Sequence, residues 1–165
     1  MSVTSVQKDP EAKTMTIVSE FGEPLDRVWQ MWSDPRRLER WWGPPTHPAT
    51  VVDHDLSPGG TVEYFMTGPE GDRSHGWWRI VTADRPRHLE FLDGFADADG
   101  EPNPDMPEST IRVDLDVLDG GTRMSIATTF PSVEVMDQMI EMGMEDGMKL
   151  AVGQIDDILR ENANT

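Results

Sequence analysis

The chain has 165 residues, 36% of them hydrophobic, no cysteine, and a formal net charge of −17. That length supports one domain burying roughly 70% of its unfolded surface, and the missing cysteines remove disulfides, thiolate catalysis and Cys-ligated zinc together. Like charge repels like, so nucleic acid and anionic lipid surfaces are set aside as partners.

No apolar run approaches the roughly 20 residues that span a bilayer, so no membrane insertion is expected. The opening stretch, Met1 to Lys13, has no apolar core of a secretion signal, which makes the cytoplasm the expected compartment. It is polar and reads as a flexible N-terminus, residues 1–13, ahead of a single domain over 14–162. The acidic residues are scattered, as on a solvated surface; whether they mark a salt-adapted source is left open.

The first strand reads as Met15 to Phe21, with Ile17, Ser19 and Phe21 on one face. Gly22 ends it, and Pro24 suits the first turn of a helix over Leu25 to Trp32. Ser33-Asp34-Pro35 caps a second short helix, Arg36 to Arg40. Trp41-Trp42-Gly43-Pro44-Pro45 then forms a rigid turn, with one ring expected inside and the other partly covered.

From Pro48 the period changes to two. Ala49 to Leu56 is a strand with Val52, His54 and Leu56 inward, because Asp53 and Asp55 occupy the other face with Val51. Pro58-Gly59-Gly60 turns into Thr61 to Thr67, with Val62, Tyr64 and Met66 inward. His75 to Ala83 points Trp78 and Ile80 inward. His88 to Phe95 aligns Leu89, Phe91, Asp93 and Phe95. Ala96 to Pro107 is acidic, rich in Pro and Gly, and aperiodic; a mobile lid and plain surface slack are both open. Ser109 to Leu118 alternates Ile111, Val113, Leu115 and Val117 against Arg112, Asp114 and Asp116. Thr122 to Phe130 places Met124, Ile126 and Thr128 on one face.

Ser132 can cap a final helix from Val133 to about Glu161, roughly 40 Å long if unbroken. Its apolar stripe runs Val133, Met136, Ile140, Met144, Ala151, Ile155 and Ile158. Gly143 and Gly147 fall four apart on that stripe, and each costs about 1 kcal/mol against alanine. They leave room either for a sheet to approach the helix or for a ligand. Strands joined by tight turns are antiparallel, and one helix buries its stripe against them only if the sheet wraps it. The fold class is α+β.

This order resembles the START-like (SRPBCC) superfamily, the helix-grip fold, in the branch similar to the activator of heat-shock-protein-90 ATPase. The residues carrying the resemblance are Phe21, Pro24 to Trp29, Trp41-Trp42-Gly43-Pro44, Asp55 to Thr61, Gly68-Pro69-Glu70-Gly71, Gly76 to Ile80 and Gly120 to Met124. It covers about Thr14 to Glu161. It implies a curved antiparallel sheet around a long C-terminal helix, two short helices after the first strand, and a cavity between. Relatives use that cavity for lipids, polyketides and hormones; some are cyclases or aromatases and some act on chaperones. Many carry a Gly-Trp pair in the last helix, where this chain has Gly147-Met148, a slimmer and more pliable side chain.

The expected occupant is therefore a small hydrophobic or lipid-like molecule, with no cofactor. Its candidate contacts are Trp41, Trp42, His54, Tyr64, Trp78, Phe91, Asp93, Met136, Ile140, Gly143, Met144 and Gly147. His54 and Asp93 are also weak catalytic candidates for a cyclase, aromatase or hydrolase, although a binder is favoured over a conventional enzyme. A Ser19–His54–Asp93 triad has no nucleophile elbow behind it. The four histidines show no metal-binding spacing, so no metal site is expected. A homodimer and a chaperone partner stay open.

Overall fold

A computed structural model describes residues 3–163. Eight strands and five helical segments follow one another: β1 (Val3–Asp9), β2 (Thr14–Phe21), α1 (Leu25–Ser33), α2 (Pro35–Trp41), β3 (Ala49–His54), β4 (Thr61–Thr67), β5 (Arg73–Asp84), β6 (His88–Ala96), β7 (Ser109–Leu118), β8 (Gly121–Thr129), α3 (Val133–Glu141), α4 (Met144–Gly153) and α5 (Ile155–Ala163). The strands form one antiparallel sheet in the order β1-β2-β8-β7-β6-β5-β4-β3. The helices cover its concave face, which is the helix-grip arrangement.

Alternation decides most of the sheet. On β2, Met15, Ile17, Ser19 and Phe21 are buried, and on β8 Met124, Ile126 and Thr128 are. On β7 Ile111, Val113 and Leu115 follow, but Val117, expected with them, is 60% exposed just before the hairpin turn. The first half of β3 reverses its expected faces. Val51 pairs with Tyr64 and Asp53 with Glu63, so Val52 is the extra residue of a bulge. Ala49 and Val51 therefore point inward and Val52 outward, while Leu56 is buried beyond the strand.

Two further differences have physical causes. Residues 3–9, expected to be flexible, pair along the edge of β2. Val3 and Val6 pack on the cluster of Met15, Ile17, Phe130 and Met136, so two apolar side chains and a free strand edge suffice to order the segment. The last helix is not one rod. Gly143 takes a left-handed φ of 95° and ends α3, since such a residue cannot continue the helix. A single residue, Gln154, separates α4 from α5. Its side-chain amide donates to the Gly43 carbonyl at 2.8 Å, tying the helix to the Trp-Trp-Gly turn.

The caps expected from sequence are present. Asp34 accepts from the Arg36 N–H at 2.9 Å and Ser132 from the Val135 N–H at 3.1 Å. The aperiodic stretch after β6 closes on itself: Asp97 Oδ1 accepts from the N–H groups of Asp99 and Glu101 at 2.9 and 3.1 Å, and Ala96 bridges to Pro102. Among the described residues no helix is long and apolar enough to cross a membrane.

Candidate functional site in the cleft under the C-terminal helix

The interior holds a dense aromatic group. Trp32 meets Trp41 at 4.7 Å edge-on, Trp42 meets Trp78 at 4.8 Å, and Trp78 stacks on Phe91 at 4.0 Å. Trp41 donates its indole N–H to the Met31 carbonyl at 2.8 Å. Trp42, which caps the end of α2, is the member that reaches a free surface. It forms one wall of a cleft of about 180 Å³ with Pro44, Tyr64, Met66 and Asp93. The helical wall consists of Met139 from α3 and Met144, Gly147 and Met148 from α4.

One glycine of the sheet shapes the facing wall. A Cβ on Gly76 would lie 2.4 Å from Cζ and Oη of Tyr64, so the Tyr64 ring rests directly on the β5 backbone. This seat holds the phenol toward Asp93 on β6, to whose Oδ1 it donates at 3.3 Å. On the other side of the sheet, Gly94 likewise admits the ring of Trp77. Gly147 is different: a Cβ there would meet nothing within 4 Å. It is therefore not a point of close approach between helix and sheet; it leaves space.

Asp93 and Tyr64 are the polar pair in an apolar lining. Asp93 keeps part of its surface open to the cleft, but protein atoms crowd its carboxyl group. Burial pushes its pKa up to about 7, with the Tyr64 hydrogen bond pulling the other way. Near neutrality both of its forms are populated. Burial first, and the Asp93 charge second, push the Tyr64 phenol well above its ordinary value, so it stays a donor. The indole N–H groups of Trp42 and Trp78 are buried without a well-formed hydrogen bond. Both rings stand edge-on to Tyr64, with centroids 6.2 and 6.3 Å away, and their N–H dipoles favour negative charge on its oxygen.

Of the residues expected at a site, Trp42, Tyr64, Asp93, Met144 and Gly147 line this cleft. Trp41, Trp78 and Phe91 stand behind it in the packed core. Met136 is buried in the Met15–Ile17–Phe130 cluster, with Ile140 packed against it, and Gly143 is exposed at the α3–α4 break. His54 is at the opposite end of the β3–β4 hairpin, its Nε2 3.0 Å from the Trp32 carbonyl oxygen. It borders an open, mainly polar groove of about 560 Å³ with Asp55, Ser57 and Arg85, larger than the cleft but without its apolar walls. Ser19 is buried without a partner, so Ser19, His54 and Asp93 are not hydrogen-bonded to one another. Pro44, Met66, Met139 and Met148 were missed. Met66 was legible from its inward face on β4 and Met148 from the Gly147-Met148 pair; Met139 was not, because it lies beside Ile140 at the edge of the expected stripe.

Sheet order, helical cover and interior cleft define the helix-grip class, the START-like superfamily. The family model described as "Activator of Hsp90 ATPase homolog 1-like protein" matches residues 23–160, and the chain belongs to that family. A solution NMR structure of a protein from Arthrobacter aurescens is similar at 51% identity, with 97% of this chain and 93% of that chain covered and a TM-score of 0.93. The crystal structure of protein Ms6760 from Mycobacterium smegmatis is 50% identical over 95% of this chain and 96% of its own, with a TM-score of 0.88. A Staphylococcus epidermidis protein solved by NMR is 26% identical, with 96% and 95% covered and a TM-score of 0.84. No protein of curated function matches the chain.

Proposed function

We propose that this protein binds a small hydrophobic or lipid-like molecule in the cleft between α3–α4 and the concave sheet. The observation carrying the reading is the empty space over Gly147, walled by methionines on one side and by Trp42 and Tyr64 on the other. Apolar walls with a few placed polar groups are the usual make-up of a ligand site. At about 180 Å³ the cleft matches one ring or a short chain, since a dry cavity of about 150 Å³ takes up benzene. The methionines could widen it, being unbranched and pliable.

Titration with an environment-sensitive apolar dye tests this, comparing wild type with Gly147→Leu. The leucine fills the space from a half-buried helical position. Wild type should bind and the variant should lose most of the affinity while unfolding at a similar temperature. Equal dye binding by both proteins would remove the cleft from the reading.

One observation favours a second reading. A carboxyl group that titrates near 7 beside a phenol is suited to proton transfer, as in a cyclase, aromatase or hydrolase. Turnover of a candidate substrate that survives Asp93→Asn unchanged would rule that role out. The namesake activity of the family, a chaperone-ATPase contact, would here draw on the acidic surface. Pull-downs at low and high salt test it, because a charge-driven contact weakens with screening.

A further inference from the structure

The chemistry around Asp93 narrows the class of ligand, given the binding reading above. Among the described residues its carboxyl receives one side-chain hydrogen bond, the 3.3 Å contact from Tyr64. No lysine, arginine or histidine lines the cleft or pairs with it. A carboxylate offers about four acceptor positions, so most of this one's capacity is unused at the edge of an apolar space.

The Trp42 and Trp78 N–H groups, buried nearby, donate to neither Tyr64 nor Asp93. What Asp93 lacks is a donor arriving from the cleft. Trp42 and Tyr64 bring π surface to the same wall, which is favourable next to a cation. A carboxylate ligand would instead face Asp93 as a like charge and meet the overall −17 on approach.

We propose that the occupant is a small apolar molecule carrying a basic nitrogen, its ammonium paired with the Asp93 carboxylate beside the Tyr64 hydroxyl. The hydrocarbon part lies against Met66, Met144 and Met148 over Gly147.

Three probes of equal size separate the possibilities: 2-phenylethylamine, 2-phenylethanol and phenylacetate. Each is titrated into the intact chain at neutral pH and high salt, read by methionine-methyl NMR. Wild type should bind the amine at least about tenfold tighter than the alcohol, the usual worth of a charge-assisted hydrogen bond, and phenylacetate weakest. Asp93→Asn should bring the amine down to the level of the alcohol and leave the alcohol unchanged. An amine no tighter than the alcohol in wild type, or an amine preference that survives in Asp93→Asn, overturns the assignment of the nitrogen while leaving the cleft reading intact. Absence of any shift at Met66, Met144 and Met148 with all three probes overturns both.

Discussion

The two ends of the interior are built from different materials. Under α1 and α2 the core is tryptophan: Trp32, Trp41 and Trp78 are fully buried, with Trp41 edge-on to Trp32 and Trp78 tilted against it. Under α3 and α4 it is methionine, with Met15 and Met136 buried and Met139, Met144 and Met148 only partly covered. Rigid rings fill their space; flexible thioethers can close over a gap or open it. The cleft lies at the seam, one wall from each material. A site of this kind needs both, since the stiff side holds Tyr64 against Asp93 and the soft side adapts to the shape of the guest.

That contrast can be broken by truncation. Trp32→Ala should lower stability by about 3–5 kcal/mol in urea unfolding, because a fully buried ring is removed from a close-packed group. Met148→Ala should lose only about 1 kcal/mol, since one side of Met148 already faces the cleft. Similar losses in the two variants would mean that the ends do not differ.

The glycines sharpen it. Gly76→Ala drives a Cβ into the seated Tyr64 ring and should cost about 1–3 kcal/mol. It should also shift the ring resonances of the single tyrosine. Gly147→Ala meets only space and adds helix propensity, so it should stabilise by up to about 1 kcal/mol. Two alanines of opposite sign, at two glycines bordering one site, would separate a seat from a void.

The smallest effect concerns pH. The Asp93 carboxyl rises from 3.8 to about 7 on folding, so the native state holds more protons than the unfolded chain between those values. Its contribution to stability therefore falls as pH climbs through that window and is level above it. Part of the residue meets solvent, which limits the change to about 1 kcal/mol. The difference in Tm between wild type and Asp93→Asn should grow in favour of the variant from about pH 4 to 7, and a flat difference would mean that Asp93 is not desolvated.

Much of the sheet was legible, because a period of two with acids on the outer face admits few readings. β4 and β7 match their expected bounds, and the inward faces of β2, β4, β6 and β8 hold. β3 misled through its bulge, which alternation does not signal: Asp53 and Asp55 located the outer face correctly only past Val52. The site was half legible. Tyr64 and Asp93 share an inward face with their strand neighbours, whereas their meeting depends on strand register and on the ring seated over Gly76. The helical wall was read in part: Met144 and Gly147 line it as expected, whereas Met139 joins them from the edge of the stripe. A glycine on an apolar stripe reads the same whether it ends a segment or opens a hole, and here Gly143 does the first and Gly147 the second.

The joint at Gly143 also sets what must move when the cleft is filled. A rod in one piece would carry any displacement from end to end, and Met136 could not stay anchored while Met148 shifted. Cut at that joint, only the first turns of α4 border the cleft, where Lys8 on β1 reaches Glu145 at 2.7 Å, while Ala151 and Val152 pin its far end in the core. The first strand, though distant in sequence, thus links the sheet edge to the helical segment that borders the cleft.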